Sequence, residues 1–261
     1  MTQRIDLEHD LGRETLEIAF VGPEDRPATL VFLHEGVGSV AAWRGFPASL
    51  CGAVSACGLV YSRRGYGHSS PHPGPPGADY LHREARAVLP ALLAQLKIAH
   101  PLLVGHSDGG SIALLYAAKF PARAVVAMAP HVFVEEVTLA GVQAARAAWD
   151  SGKLHAGLAK LHADPHGAFF GWNDAWLAPG FRDWNIEAEL PAVRCPVLAI
   201  QGHDDQYGTM AQLDRIARGV GGPCELLKLA DCGHAPQRDQ RAAVITAIAA
   251  LYRSTTGAAT P

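Results

Sequence analysis

The sequence predicts an α/β fold in which helices cover both faces of a parallel sheet. Two observations indicate it. Short apolar runs recur along the chain, as expected for strands buried on both faces, and segments with apolar residues at helical spacing lie between these runs. Strands that alternate with helices in this way pair in parallel. Of the 261 residues, 49% are hydrophobic, which is enough to fill such a core and excludes a globally disordered chain.

The strands are predicted from their apolar content and their alternation. Residues 14–21 alternate polar and apolar side chains, which is typical of a half-buried strand, whereas residues 28–33 (ATLVFL) are apolar or nearly so throughout. The other predicted strands are short and mostly apolar. They span residues 59–62, 101–104, 124–128, 196–200 and 225–229.

The helices are predicted where apolar residues recur with helical spacing. They span residues 79–96, 111–120, 209–218 and 242–252. Residues 131–190, hereafter the inserted segment, break the alternation because they are helical and irregular, without a clear strand. They hold 8 of the 19 aromatic residues. Since this segment lies between two predicted strands, it must leave the sheet at one end, and we interpret it as the roof of a pocket. A second small core is the alternative.

Composition excludes several classes of protein. The net charge is -3, with 22 basic and 25 acidic residues, whereas a nucleic-acid-binding protein needs a basic face. No apolar run approaches the roughly 18–20 residues that span a bilayer, and the first 14 residues lack the apolar stretch of a secretory signal. Five cysteines without a CxxC pair favour reduced thiols. We therefore expect a cytoplasmic protein without nucleic-acid or membrane partners.

One motif indicates a catalytic residue. Residues 105–109 (GHSDG) match G-x-S-x-G, and they lie between a predicted strand and a predicted helix, as that motif requires. Glycine at both ends allows the strand and the helix to approach closely. The turn would lift the hydroxyl of Ser107 to a helix N-terminus, where a developing anion is stabilised. Ser107 is therefore the predicted nucleophile; a glycine-rich turn that happens to contain serine is the alternative.

A serine nucleophile needs a histidine base, and the base needs a carboxylate to orient it. His234 lies just before the last predicted helix and is the candidate base; a structural histidine is the alternative. Two adjacent aspartates follow the predicted strand 196–200, and only one of them can face the histidine. We favour Asp205, with Asp204 as the alternative, and interpret Asp231 as a turn residue.

Two main-chain amides should bind the oxyanion. One is the amide of Asp108, directly after the nucleophile. The other should come from residues 34–39 (HEGVGS), hereafter the oxyanion loop, where glycines let the backbone approach a substrate oxygen. We choose the amide of Gly36. Each donor of this kind typically contributes roughly 3–4 kcal/mol of transition-state stabilisation.

Together these segments resemble the α/β-hydrolase superfamily, over nearly the whole chain. The motifs occur in the family's order. They are LHEGVGS at 33–39, SRRGYGHSSP at 62–71, GHSDGG at 105–110, GHDD at 202–205 and CGH at 232–234. The resemblance implies an α/β-hydrolase fold: a mostly parallel eight-stranded sheet with helices on both faces and a helical cap inserted after strand 6. The core would comprise residues 1–130 and 191–261, and the cap residues 131–190.

The resemblance also implies the roles of five residues. Ser107 would be the nucleophile, Asp205 the acid and His234 the base, and the amides of Gly36 and Asp108 would form the oxyanion hole. The chain is similar to the smaller esterase and carbon–carbon-bond hydrolase members of the family. A serine nucleophile argues against the dehalogenase and epoxide-hydrolase branches, which attack with aspartate.

Two positions depart from the family pattern. The family usually has His-Gly in the oxyanion loop, whereas this chain has His34-Glu35-Gly36. A carboxylate aimed at the oxyanion would oppose the reaction, so we expect Glu35 to turn away and pair with Arg63 or Arg64. At position 108 many relatives carry an apolar residue. The Asp108 side chain would either bind a cationic group of the substrate or cap the following helix.

No metal or cofactor is expected. His162 and His166 have the spacing of two ligands on one helix face, but Pro165 interrupts any helix there and no third ligand stands nearby. The chain also lacks a GxxxxGK[ST] phosphate loop.

The expected function is hydrolysis of a carboxylic ester through an acyl-enzyme, with a small apolar or aromatic substrate. A thioesterase or a carbon–carbon-bond hydrolase would use the same groups, and a non-catalytic ligand-binding homologue is the alternative of another class. The chain would be a monomer or a homodimer. Candidate substrate contacts are Glu35, Trp149, Phe169, Trp172 and Trp176, although the aromatic side chains could equally form the core of the cap.

Overall fold

An eight-stranded sheet forms the centre of the computed structural model, which describes residues 2–23 and 25–256. The strands run across the sheet in the order β1-β2-β4-β3-β5-β6-β7-β8. Their bounds are β1 Thr2–His9, β2 Gly12–Val21, β3 Ala28–Leu33, β4 Cys57–Ser62, β5 Leu102–His106, β6 Ala124–Met128, β7 Val197–Gly202 and β8 Cys224–Leu229. Strand β2 pairs antiparallel with both β1 and β4, and all other pairs are parallel. The predicted mostly parallel sheet of eight strands is thus confirmed.

Helices cover both faces of the sheet, as predicted. They are α1 Phe46–Val54, α2 Tyr80–Arg83, α3 Leu89–Gln95, α4 Asp108–Ala117, α5 Glu136–Asp150, α6 His155–Leu158, α7 Pro165–Leu177, α8 Ala211–Gly219, α9 Pro236–Asp239 and α10 Arg241–Thr256. Along β3, Val31 packs with the helices of one face and Phe32 with those of the other. This alternation, with both faces buried, is why the central strands have continuously apolar sequences.

The predicted helix over residues 79–96 is present from Tyr80 to Gln95, but it is not a regular α-helix throughout. Between α2 and α3 the chain forms a π-helical turn over Glu84–Val88. Pro90 lies at the start of α3, where it lacks an N–H donor and its ring crowds the carbonyl one turn earlier. The helix therefore widens by a π-helical turn at this point and then continues as α3.

The inserted segment contributes α5, α6 and α7 between β6 and β7. His162 attaches this segment to the loops that follow β3 and β4. Its Nδ1 accepts from the amide of Gly67 at 2.9 Å, and its Nε2 donates to the carbonyl of Val37 in the oxyanion loop at 3.0 Å. Both ring nitrogens are thus occupied by the backbone, which leaves neither of them for a metal ion.

The ends of the predicted core, residues 1 and 257–261, lie outside the described residues. Within the described part of the chain, each helix is too short or too polar to cross a membrane.

Candidate active site

The turn between β5 and α4 is strained at its serine. Ser107 has φ 53° and ψ -119°, a backbone conformation that side chains rarely adopt. The flanking glycines make the turn possible. A Cβ atom on Gly105 would lie 2.1 Å from the carbonyl oxygen of Gly109, and one on Gly109 would lie 1.9 Å from the carbonyl oxygen of Leu33. The turn therefore presents the Ser107 hydroxyl at the N-terminus of α4, as the motif predicts.

The three predicted triad residues lie in contact. The Oγ atom of Ser107 is 2.9 Å from Nε2 of His234, and Nδ1 of His234 is 2.8 Å from Oδ2 of Asp205. Because a carboxylate can only accept, Nδ1 carries the proton and Nε2 is free to accept the serine proton. Asp204, the alternative acid, is exposed. This geometry allows His234 to act as a base toward Ser107.

Asp205 is held in place by its surroundings. Its carboxylate accepts from the side-chain amide of Gln201 at 2.6 Å and from the backbone amide of Tyr207 at 2.8 Å. Burial alone would raise the pKa of Asp205, but the hydrogen bond and charge of His234 lower it. The carboxylate is therefore ionised when it orients His234. The sequence analysis missed Gln201. An amide side chain at the end of an otherwise apolar strand could have indicated a residue that hydrogen-bonds to the site.

Three donors orient the predicted oxyanion amide in the loop. The carbonyl oxygen of Glu35 accepts from Nδ1 of His34 at 2.7 Å, from Nη2 of Arg63 at 3.0 Å and from the amide of Gly38 at 3.0 Å. A trans peptide directs its N–H opposite to its carbonyl. These contacts therefore turn the amide of Gly36 away from its own loop. Among the described residues, that amide has no hydrogen-bond partner.

We expect Gly36→Ala to lower the rate at which Ser107 reacts by roughly 10²-fold, the effect of losing one oxyanion donor. A Cβ atom at this position would lie 2.2 Å from the indole of Trp172, so the loop and its amide must shift. The rate of Ser107 labelling by a fluorophosphonate would measure the loss, and the thermal unfolding midpoint would check the fold. Gly157→Ala is the matched control, because a Cβ atom there meets nothing within 4 Å. An unchanged labelling rate in Gly36→Ala would refute the assignment of this amide.

The expected ion pair of Glu35 with Arg63 or Arg64 is wrong. The guanidinium of Arg63 reaches the backbone carbonyl of Glu35, and Arg64 donates to the carbonyl of Pro71 at 3.0 Å. The Glu35 carboxylate instead lies 3.4 Å from Nδ1 of His106. Burial alone would raise the pKa of Glu35, but the hydrogen bond and charge of His106 lower it to about 2. Glu35 is therefore an anion on the wall of the cavity.

The Asp108 side chain matches neither of the two interpretations left open. It is fully buried and accepts from the hydroxyl of Tyr80 at 2.7 Å and from Nε1 of Trp176 at 3.2 Å, with Nη2 of Arg63 at 3.5 Å. It makes no capping hydrogen bond to α4, and its neighbours leave no room for a cationic substrate group. Its backbone amide is the first of α4 and has no carbonyl one turn earlier in the helix. That amide is available to an oxyanion beside Ser107.

A cavity of about 340 Å³ opens beside Ser107. Trp172 and Trp176 of α7 lie on its wall. Trp149 and Phe169 do not; their rings stack on each other at 4.6 Å, which makes them part of the packing inside the inserted segment. The described residues that line the cavity are Glu35, Gly36, Val37, His106, Ser107, His131, Thr138, Val142, Trp172, Trp176, Gln206, Tyr207, Gly233, His234, Ala235, Arg238 and Asp239.

His131 is a lining residue that the sequence analysis missed. Its side chain is almost completely buried, and its Nε2 donates to the carbonyl of Tyr207 at 3.1 Å. Burial lowers the pKa of His131, and the nearby His234 lowers it further. The ring is therefore neutral, and it adds no positive charge beside His234. No sequence motif marks this position.

Comparison with known proteins identifies the family of this fold. The family described as alpha/beta hydrolase fold matches residues 28–171. The human serine hydrolase BPHL is 28% identical over 183 residues, which are 63% of this chain and 58% of that relative. This chain thus spans less than two thirds of the length of that relative.

Solved structures share the whole fold. The enol-lactonase from Burkholderia xenovorans LB400 has a TM-score of 0.75 at 20% identity, covering 95% of this chain and 100% of that one. The 2-hydroxy-6-oxo-6-phenylhexa-2,4-dienoate hydrolase from Rhodococcus sp. strain RHA1 has a TM-score of 0.74 at 16% identity, covering 97% and 100%. At these identities the likeness establishes the fold alone.

Proposed function

The chain belongs to the alpha/beta hydrolase fold family, and on that premise we propose that it is a serine hydrolase that cleaves a carboxylic ester through an acyl-enzyme. One observation carries the proposal. The Ser107 hydroxyl lies 2.9 Å from Nε2 of His234, and Nδ1 of the same ring lies 2.8 Å from the buried carboxylate of Asp205. A nucleophile, a base and an orienting acid in hydrogen-bond reach are the requirements for acyl transfer.

In the first half-reaction His234 takes the Ser107 proton as Oγ attacks the ester carbonyl. The negative charge that develops on the carbonyl oxygen is stabilised by the amides of Gly36 and Asp108. Asp205 stabilises the imidazolium. His234 then gives its proton to the leaving alcohol, and Ser107 is left acylated.

In the second half-reaction a water molecule takes the place of the alcohol. His234 removes a proton from this water, and the resulting hydroxide attacks the acyl carbon. The tetrahedral intermediate collapses as His234 returns the proton to Oγ of Ser107. The acid leaves, and the enzyme is restored with the same groups in the same states.

The substrate proposed is small and apolar or aromatic. A cavity of about 340 Å³ with Trp172 and Trp176 on its wall favours such a group. Glu35 contributes a carboxylate to the same wall and is a candidate contact for the polar part of the substrate. The inserted segment is proposed to act as a helical cap over the cavity. An enol-lactonase, named for a cyclic ester, is among the structural neighbours.

Labelling with a fluorophosphonate tests the enzyme class. We expect one adduct per folded chain, located on Ser107 by mass spectrometry, and no adduct after denaturation. Ser151→Ala is the control, because Ser151 is an exposed serine whose hydroxyl donates to the carbonyl of Ala148, away from any base. It should label like the wild type. A folded chain that is not labelled at Ser107 would favour a non-catalytic ligand-binding protein.

Turnover assays then separate the reactions that share these groups. We expect p-nitrophenyl esters of short acyl or aryl acids to be cleaved faster than acyl-CoA thioesters and faster than vinylogous keto acids. Faster cleavage of the thioester or of the carbon–carbon bond would replace the ester assignment and leave the triad unchanged.

A further inference from the structure

Arg63 connects the two segments that carry the proposed oxyanion amides. It follows β4, and its side chain is almost completely buried. Its Nη2 donates to the carbonyl oxygen of Glu35 at 3.0 Å and lies 3.5 Å from Oδ2 of Asp108. The carbonyl of Glu35 belongs to the same peptide group as the amide of Gly36, and Asp108 carries the other amide. One guanidinium nitrogen thus contacts both halves of the proposed oxyanion hole.

The backbone of Arg63 supports the same loop by a second route. Its amide donates to Nε2 of His34 at 3.0 Å. Burial keeps the pKa of His34 well below its usual value, so the ring is neutral and its proton is on Nδ1. Nδ1 then donates to the carbonyl oxygen of Glu35 at 2.7 Å. A change of the Arg63 side chain therefore removes one support of the loop and leaves the other in place.

The charge of Arg63 is balanced inside the protein. Burial alone would lower the pKa of Arg63, but the charge of Asp108 raises it, so the guanidinium stays ionised. The ring of Tyr66, with its centroid 5.1 Å from Cζ, also favours the cation. The Asp108 carboxylate accepts in addition from Tyr80 and Trp176. The ion pair adds no net charge beside Ser107, and its effect on the reaction is therefore one of position.

Stability does not explain why a guanidinium is buried here. Nε and Nη1 of Arg63 are buried and have no hydrogen-bond partner in the described part of the chain. Donors that lose water without gaining a partner cost stability. A buried ion pair also contributes no more, in general, than well-packed apolar side chains of similar size. The remaining observation is that the bonded nitrogen, Nη2, contacts the oxyanion loop and the first residue of α4.

We propose that Arg63 is a positioning residue that fixes the spacing of the two oxyanion amides. Its Nη2 holds the peptide group between Glu35 and Gly36 on one side and Asp108 on the other. Arg63 is not one of the described residues that line the cavity, so it acts on the reaction through these amides. The proposal rests on the proposed function, because the spacing matters only if negative charge develops on an oxygen between them.

A paired replacement tests the proposal without leaving a buried charge unpaired. In Arg63→Met/Asp108→Asn the guanidinium and the carboxylate are removed together, while both amides and the bond from His34 remain. We expect kcat on a p-nitrophenyl ester to fall by roughly 10- to 100-fold, because the amides are misplaced. KM should stay within about threefold, since these amides act mainly in the transition state. Arg64→Met is the matched control and should change neither constant, because Arg64 donates to the carbonyl of Pro71.

An inhibitor that forms a tetrahedral adduct provides a measurement that a merely structural role would not change. With a trifluoromethyl ketone, Oγ of Ser107 bonds to the ketone carbon, His234 takes the proton, and the ketone oxygen becomes an oxyanion. We expect the inhibition constant to rise in the double variant by the same factor by which kcat/KM falls. The final number of sites labelled by a fluorophosphonate should remain one per chain, because the variant is folded.

Three results would overturn the proposal. They are a wild-type kcat in the folded double variant, a fall in kcat without a rise in the inhibition constant, and a loss of labelled sites in proportion to the loss of activity. If wild-type Ser107 is not labelled at all, the proposed function fails together with the role of Arg63. If it is labelled but cleaves no ester, only the ester assignment fails, and the labelling rate then replaces kcat in the comparison.

Arg63→Lys covers the case in which the double variant does not fold. Lysine keeps a positive charge beside Asp108, so the ion pair remains. Its shorter side chain, which ends in a compact ammonium, cannot contact both acceptors that Nη2 holds. We expect the labelling rate of Ser107 to fall by at least about fivefold, with one labelled site per chain. A wild-type labelling rate would overturn the proposal, because the charge alone would then be sufficient.

Discussion

Ser107→Ala is expected to lower ester turnover by at least about 10⁴-fold and to abolish fluorophosphonate labelling. The change removes the Oγ atom that lies 2.9 Å from His234, and no other group in the described cavity is held by a base in the same way. The amides of Gly36 and Asp108 remain, so residual catalysis over water is expected. Steady-state kinetics on a p-nitrophenyl ester would measure the effect.

The fold should survive this change. Removing one hydroxyl from a turn fixed by Gly105 and Gly109 leaves no large cavity, so the unfolding midpoint should remain within a few degrees of the wild type. Turnover above about 1% of the wild type by a folded Ser107→Ala protein would contradict a serine nucleophile.

Asp205→Asn is expected to lower kcat by about 10⁴-fold, because an amide in place of the carboxylate favours the wrong tautomer of His234. In the wild type the two oxygens of the Asp205 carboxylate lie 2.8 and 2.9 Å from Nδ1 of His234 and accept its proton. An asparagine presents an N–H donor at one of these positions, which favours a proton on Nε2 instead. That nitrogen can then no longer accept from Ser107.

Asp204→Asn is the matched control, since the two residues are adjacent and undergo the same change. Its side chain is exposed, so we expect kcat within about twofold of the wild type. Parallel kcat measurements on one ester would compare them. A larger loss in Asp204→Asn than in Asp205→Asn would reassign the acid.

The central strands were predictable because burial on both faces leaves a simple signature. Strands β3 and β6 have the predicted bounds, residues 28–33 and 124–128. Strand β1 was missed because it lies at the edge of the sheet and most of its side chains are exposed, so it has no apolar run. Helix α1 was missed as well. Its sequence FPASLCGAV contains proline, glycine and small residues, which weaken a helical pattern.

The triad was predictable for a different reason. Parallel strands end at the same edge of a sheet, so residues that follow β5, β7 and β8 meet there although they are far apart in the chain. The partner of Glu35 was not predictable in this way. His106 is 71 positions away, and the choice between it and Arg63 depends on how one loop folds. No spacing rule encodes that choice. Tyr80 was missed for the same reason, since its bond to Asp108 crosses between two helices.

The bonds that His162 and Trp176 make from the inserted segment have a consequence for substrate entry. His162 bonds the backbone at Val37 and Gly67, and Trp176 bonds the buried carboxylate of Asp108. An outward movement of the segment would break all three bonds. It would also expose the Asp108 carboxylate, next to Ser107, to solvent. We therefore expect the inserted segment to remain in place over the cavity during turnover. Substrate would enter and product would leave through one fixed opening of the cavity, which is lined on the solvent side by the exposed Gln206 and Arg238.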